Sequence, residues 1–283
     1  MKSKSSHHEN ILPGICLLLG SLVPALAQAV GFAATVSPPR FELRAMPGDT
    51  LNEVVEINNT DTLPVDFSLR TADWELTDRG NVTIHGEELQ PGSCRPWTRI
   101  ERRKIRVAGE SGRRYRFQIR IPDDAPEGEC RVALLLEGSG EDTLMAGSEM
   151  VKFPIQGRIA VIIYVAVGEA RPQLDLLEIS MDSVNLQQIP VAVIRNDGNA
   201  HGRPSGILDG TDAIGGRQEF TVSPSPIMPG QTRRIPIWPA DRNAAEIVAP
   251  LQLQGTIEWE GGKYRIDETV SPTHRIGLTE TRR

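Results

Sequence analysis

With 283 residues, 39% of them apolar and 5% aromatic, the chain has room for a targeting segment and two domains of ordinary size with real cores. Its 26 glycines and 21 prolines favour short strands joined by turns over helix bundles, no long helical periodicity appears, and the protein reads as all-β. A formal charge of −6 argues against a general nucleic-acid binder.

Residues 1–29 have the layout of a cleavable secretion signal: Lys2 and Lys4, then an apolar segment over 11–26, then small residues at Ala25-Leu26-Ala27 or Ala27-Gln28-Ala29. The alternative is a membrane anchor, but Pro13, Gly14 and Pro24 break the segment, and a span needs about 20 apolar residues. No other segment is suited to crossing a bilayer, so no stable membrane insertion is expected. Cleavage would remove Cys16 and leave Cys94 and Cys130 in an oxidising compartment, where a disulfide is the default expectation. With no histidine near them, they make a poor metal site, and no metal is expected.

In chain order, residues 35–45 read as a first strand, and Pro47-Gly48-Asp49 turns into a second that ends at Asn58-Asn59. Residues 63–76 alternate, with Val65, Phe67 and Leu69 against Asp66, Ser68 and Arg70, and a short strand follows at 82–84. Residues 91–97 read as a loop that a disulfide would fasten. Residues 102–107 and 114–121 both alternate basic with apolar side chains, and they are expected to pair as a hairpin with one basic face. Between Cys94 and Arg120 there are ten basic residues and two acidic ones, which either steer an anionic partner or simply solvate a sheet face and discourage edge pairing. Residues 130–137, with Leu134, Leu135 and Leu136, read as a buried strand, and 138–148 as a flexible loop.

The stretch 150–166 is the longest β-rich run. Its first part alternates, with Val151, Phe153 and Ile155 on one face, while residues 159–165 are apolar on both faces, as in a strand buried within a core. The first part either packs into its own core or presents apolar side chains to another chain. Pro154, lacking an N–H, favours an exposed sheet edge. Strand spacing throughout is that of a β-sandwich.

Around residues 169–173 the pattern breaks at a linker, and a second sandwich is expected over 174–270, with strands at 174–181, 189–194, 218–222, 233–237 and 251–259. Residues 271–283 read as a charged tail. No convincing internal repeat separates out. His85, His201 and His274 stand far apart without a neighbouring nucleophile or ligand pattern, and each reads as a surface histidine. With no phosphate-cradling glycine loop and no nucleophile elbow, neither catalytic residues nor a cofactor are expected.

Five segments, in order, carry a resemblance: Val36-Ser37-Pro38-Pro39-Arg40, Val54-Val55-Glu56-Ile57-Asn58-Asn59, Pro96-Trp97-Thr98-Arg99-Ile100 through Arg103, residues 130–137 and residues 151–164. Together they resemble the PapD-like periplasmic chaperones of the chaperone/usher pilus pathway over about residues 35–168, while the second domain departs further. The resemblance implies two immunoglobulin-like domains, periplasmic localisation, and a function in holding pilus or fimbrial subunits by donated-strand addition and delivering them to an outer-membrane usher. It places Val151, Phe153 and Ile155 where the donated side chains lie, and Arg40 on the arginine that anchors the subunit's C-terminal carboxylate. The family's anchoring lysine falls at Ala160, so Arg158, two positions earlier on the same face, is the candidate substitute. An unoccupied apolar edge also implies masking, for instance by self-association. The rival reading is a structural or adhesive surface protein built from two sandwiches.

Overall fold

The computed structural model describes residues 34–77, 80–146, 149–241 and 243–272, and for 139–156 it describes the backbone alone. The expected signal at 1–29 and all but the first two residues of the expected tail lie outside the described residues. The described chain is nearly all strand. In the first half these are β1 (Ala34–Ser37), β2 (Arg40–Ala45), β3 (Thr50–Asn59), β4 (Val65–Leu76), β5 (Val82–His85), β6 (Thr98–Ile100), β7 (Lys104–Val107), β8 (Ser111–Arg120), β9 (Gly128–Ala146) and β10 (Glu149–Val167). The second half contains β11 (Leu174–Val184), β12 (Gln187–Asn196), β13 (Ile207–Thr211), β14 (Arg217–Val222), β15 (Thr232–Pro239), β16 (Leu251–Trp259) and β17 (Gly262–Val270).

The first half is a sandwich. One sheet runs β1-β3-β8-β6 and the other β2-β10-β9-β4-β5, with β7 also paired to β4. Alternation along each strand sends one face inward: Val55 and Ile57 from β3, Tyr115, Phe117 and Ile119 from β8, Val132, Leu134 and Leu136 from β9, and Val161, Ile163 and Val165 from β10 meet in one core. The other face of β9 and β10 is covered too, since Ala133, Leu135 and Tyr164 pack with Trp74, Leu76 and, from the second half, Met228. This two-sided burial explains why Leu134-Leu135-Leu136 and residues 159–165 are apolar without alternation. Cys94 and Cys130 form a disulfide that ties the loop before β6 to the start of β9.

Three expectations are corrected. Residues 35–45 are two strands in different sheets: β1 lies antiparallel to β3 and β2 parallel to β10, so the chain crosses the sandwich at Pro38-Pro39. The basic hairpin does not form, because β7 pairs with β4 in one sheet and β8 with β3 and β6 in the other. Alternation sets faces but does not choose partners, and the two basic faces therefore look outward on opposite sides of the sandwich. The expected loop at 138–148 is strand through Ala146, paired residue for residue with β10 from Ala146↔Glu149 to Gly128↔Val167. Its register is held by main-chain bonds, which an apolar pattern does not report.

The second half is a seven-stranded sheet in the order β11-β12-β15-β14-β13-β16-β17, wrapped round its own core of residues such as Leu208, Phe220, Ile235, Ile237 and Leu253. Its ends approach where the Met181 amide donates to the Ser271 carbonyl at 3.0 Å. The strands β13 and β17 were not legible, since β13 buries only Leu208 and Gly210 and β17 only Ile266 and Val270.

Each half also ends a strand with a buried asparagine that staples the loop after it. Asn59 donates from Nδ2 to the carbonyls of Leu63 and Ala108 and accepts the Asp61 amide. Asn196 donates to the carbonyls of Ala200 and Ile227, both at 2.8 Å, and accepts the amides of Gln173 and Gly198. In both, the first carbonyl belongs to the fourth residue onward, a shared device that sequence comparison of the halves did not separate. At Gly198 a Cβ would lie 2.4 Å from the Arg171 carbonyl oxygen, so the loop fits against residues 171–173 only as glycine. Asn196→Ala is expected to cost about 3 kcal/mol, because two buried carbonyls lose their donor. A urea titration checks this, and a shift below about 0.5 kcal/mol would contradict the stapling role.

Candidate functional site

The first feature of the site is the edge of β10. On one side the strand pairs with β9 along its whole length; on the other it pairs with β2 only from Ile162 to Val167. Among the described residues no strand is paired to that second side from Glu149 to Val161. Main-chain groups alternate sides along a strand, and the Ile162 amide donates to Pro39 on the β2 side at 3.2 Å. The unbroken register therefore aims the main chain of residues 150, 152, 154, 156, 158 and 160 at the open edge, and that of the odd residues at β9. Pro154 falls in the open set, where a missing N–H costs no bond to β9. Val151, Phe153 and Ile155 lie in step with Val161 and Ile163, on the register that forms the core further along. Their side chains lie outside the described residues. Gly157 stands directly opposite Gly138, at the point where β4 stops pairing with β9 at Phe67, so residues 139–146 and 149–156 form a two-stranded ribbon beyond the sandwich.

The second feature is the junction between the halves. The odd residues of β2 enter the core, while Arg40, Glu42 and Arg44 face outward beside Ile162, Tyr164 and Ala166; Glu42 and Arg44 line a cleft of about 250 Å³ with Tyr164, Glu129, His201, Arg203 and Glu260. The Glu129 side chain is 2% exposed and accepts both the His201 amide at 3.0 Å and Nδ1 of its ring at 2.5 Å. Its other oxygen is buried without a partner among the described residues. The His201 ring stacks on Tyr164 with centroids 4.0 Å apart, and Tyr164 meets Trp74 edge-on at 5.0 Å. Arg203 binds Glu42 at 2.8 Å and lies over the Tyr164 ring. Arg44 reaches the Ala170 carbonyl at 3.1 Å and pairs with Glu260. Burial pulls the Glu42 carboxyl upward, but Arg203, His201 and Arg40 outweigh it and hold the group below its ordinary value.

Of the anchoring candidates, Arg40 is beside this cleft and pairs with its Glu42 at 2.7 Å, while Arg158 pairs with Glu137 at 2.8 Å on the neighbouring strand. Arg40 stands opposite Ile162, four residues from Arg158, or about 13 Å at 3.3 Å per residue. The fold therefore does not bring the two together. Glu42, Glu129, Tyr164, His201 and Arg203 were missed, and His201, read from sequence as a surface residue, has a side chain only 9% exposed. Glu129 and His201 are 72 positions apart, and nothing local marks either. The one available signal was Tyr164, a polar aromatic within an otherwise aliphatic run.

Burial pushes the Tyr164 hydroxyl up to about 12, against a smaller opposing pull from Arg203. A raised folded value means that the contribution to stability is complete below pH 10 and is lost as pH climbs from 10 towards 12. Two units correspond to about 2 to 3 kcal/mol. Tyr164→Phe is expected to flatten that alkaline loss, as measured by urea unfolding at pH 9 and pH 11.5; equal loss in both proteins would contradict the assignment.

No family model and no curated protein matches the chain. Among solved structures it is similar to the class 5 fimbriae chaperone CfaA at 12% identity, covering 84% of this chain and 99% of that one with a TM-score of 0.43. It is similar to the E. coli chaperone DraB at 13% identity, covering 84% and 98% with a TM-score of 0.40. It is similar to the Pseudomonas aeruginosa chaperone CupB2 at 11% identity, covering 83% and 100% with a TM-score of 0.40. Solved fimbrial chaperones are thus among the structures to which this chain is similar over most of its length.

Proposed function

We propose that this protein is a divergent PapD-like periplasmic chaperone that holds pilus or fimbrial subunits by donating a strand and delivers them to an outer-membrane usher. The observation that supports this reading best is the open edge of β10, which offers alternate main-chain groups to a partner strand while Val151, Phe153 and Ile155 supply apolar side chains in step. The opposite edge of the ribbon, carrying Gly140, Glu141 and Asp142, suits strand addition poorly. Residues 1–29 are taken as the export signal, 30–168 and 174–270 as the two domains, 169–173 as the linker and 271–283 as the tail. Arg40 is taken as the anchor of a partner's C-terminal carboxylate, exchanging Glu42 for it. Arg158 is a separate contact further along β10, not the second arm of one clamp. Neither cofactor nor catalysis enters the reading: the subunit's own folding free energy, released on strand exchange, drives assembly. Without a subunit, two β10 edges can mask each other by self-association. The test is co-expression of a fimbrial subunit with wild type and with Phe153→Arg. The variant is expected to recover little folded subunit, and equal recovery would sink strand donation.

A further inference from the structure

The basic residues between Cys94 and Arg120 are not absorbed by the edge or the cleft. The fold divides them between two surfaces. Arg114 and Arg116 project from β8, where Arg114 stands opposite Glu56 and Arg116 lies 4.0 Å from Glu101. Of the others, Arg95, Arg99, Arg102, Arg103 and Lys104 converge, with Arg70 of β4, on a groove of about 1050 Å³ between β4 and residues 98–104. Only Glu87 and Glu101 oppose them on its wall. Arg70, Arg95 and Arg102 are paired with Glu137, Asp73 and Glu101. Arg99, Arg103 and Lys104 are exposed and have no carboxylate partner among the described residues.

Two further observations separate this groove from an ordinary solvated face. Its rim is fixed: the Glu101 amide donates to the Arg116 carbonyl, the buried Tyr115 hydroxyl donates to the Arg102 carbonyl at 2.5 Å, and the Leu69 amide donates to the Arg103 carbonyl at 2.8 Å. Its floor contains a gap in the ladder. On this side of β4, β7 pairs up to Ser68 and β5 begins at Asp73, so among the described residues no strand is paired to residues 70–72. The Leu69 amide points to this side, hence so do the amide and carbonyl of Thr71, two residues on. Gly86 bounds the gap with no side chain and nothing near it.

We propose that this groove binds an acidic, extended polypeptide segment of a partner protein, whose main chain meets Thr71 while its carboxylates meet Arg99, Arg103 and Lys104. An excess of fixed positive charge selects the acidic chain, and the ladder gap selects an extended backbone over other polyanions. The site lies on the far side of β4 and β9 from the open β10 edge, is independent of it, and stands or falls separately from strand donation.

The probe is a fluorescein-labelled octapeptide alternating glutamate with valine or threonine, titrated against the full-length protein by anisotropy at 50 mM and 300 mM salt. Binding is expected to weaken at high salt, and Arg99→Glu with Arg103→Glu is expected to weaken it about tenfold at low salt. Arg217→Glu with Arg265→Glu, exposed on β14 and β17 of the second half and no part of this groove, should leave it unchanged. If the first pair does not fold, Arg99→Gln with Arg103→Gln provides a milder reading in the same direction. A peptide of the same charge with proline at its non-acidic positions should bind more weakly than the probe. No binding by the wild type, equal losses from both arginine pairs, or equal binding of the proline peptide or of an oligonucleotide of matched charge would overturn the proposal.

Discussion

A chain in which Cys94 and Cys130 are both replaced by serine is expected to unfold with about 4 kcal/mol less stability than the wild type. The bridge spans 36 residues, and closing a loop of that length removes roughly this much free energy from the unfolded ensemble. Its position adds to the effect. Cys94 belongs to the loop that leads through a 3-10 turn into β6, and Cys130 opens β9, so the bond joins the two sheets of the first sandwich. Both sulfurs are buried in the core, and the loop is bonded to β9 independently, the Cys94 amide donating to Arg131 and the Arg131 amide to Gly92. Those bonds should preserve the native arrangement in the double variant, so the loss is expected as a lower urea midpoint with a somewhat steeper slope, since the unfolded chain without its cross-link exposes more surface. A difference under about 1 kcal/mol would mean that the loop is held by its hydrogen bonds alone.

The second large effect is expected at the junction. His201→Ala removes the ring that faces Glu129 and leaves a carboxylate whose side chain is 2% exposed with only the backbone amide of residue 201 to satisfy it. Uncompensated buried charge of this kind costs about 3 kcal/mol. The ring is also stacked on Tyr164, so the variant loses contact between β10 and the second half as well. Adding Glu129→Gln to His201→Ala should restore most of the loss, because a neutral amide is far less costly than a carboxylate to leave buried without its ring partner. Urea unfolding of the two single variants and the double variant gives the coupling. Additive losses would show that the pair is incidental to how the halves are held.

Two-sided burial was readable from the sequence because it abolishes alternation: Leu134-Leu135-Leu136 and residues 159–165 could only be strands covered on both faces. The cover itself, Met228 from the second half, could not be read, since a single methionine after a turn carries no pattern. One-sided faces were readable wherever apolar residues recur every second position, as in Tyr115, Phe117 and Ile119. Pairing was not, and the basic stretches at 102–107 and 114–121 were joined as a hairpin although they belong to opposite sheets. The same limit hid the ribbon strand at 138–146, which keeps its register through main-chain bonds that glycine, serine and acidic residues make as well as any others. The open edge was partly legible through Pro154. The cleft was not, since its members come from β2, β9, β10, the loop after β12 and the turn between β16 and β17, and only the folded chain places Glu129 beside His201.

The most direct measurement is residue-resolved amide exchange along β10 in the free protein and in its complex with a co-purified fimbrial subunit. Strand donation at the open edge predicts that the amides of Lys152, Gln156 and Arg158 slow markedly in the complex, while those of Val151, Phe153 and Ile155, already directed at β9, change little. Unchanged exchange at Lys152, Gln156 and Arg158 in a complex that retains the subunit would contradict it.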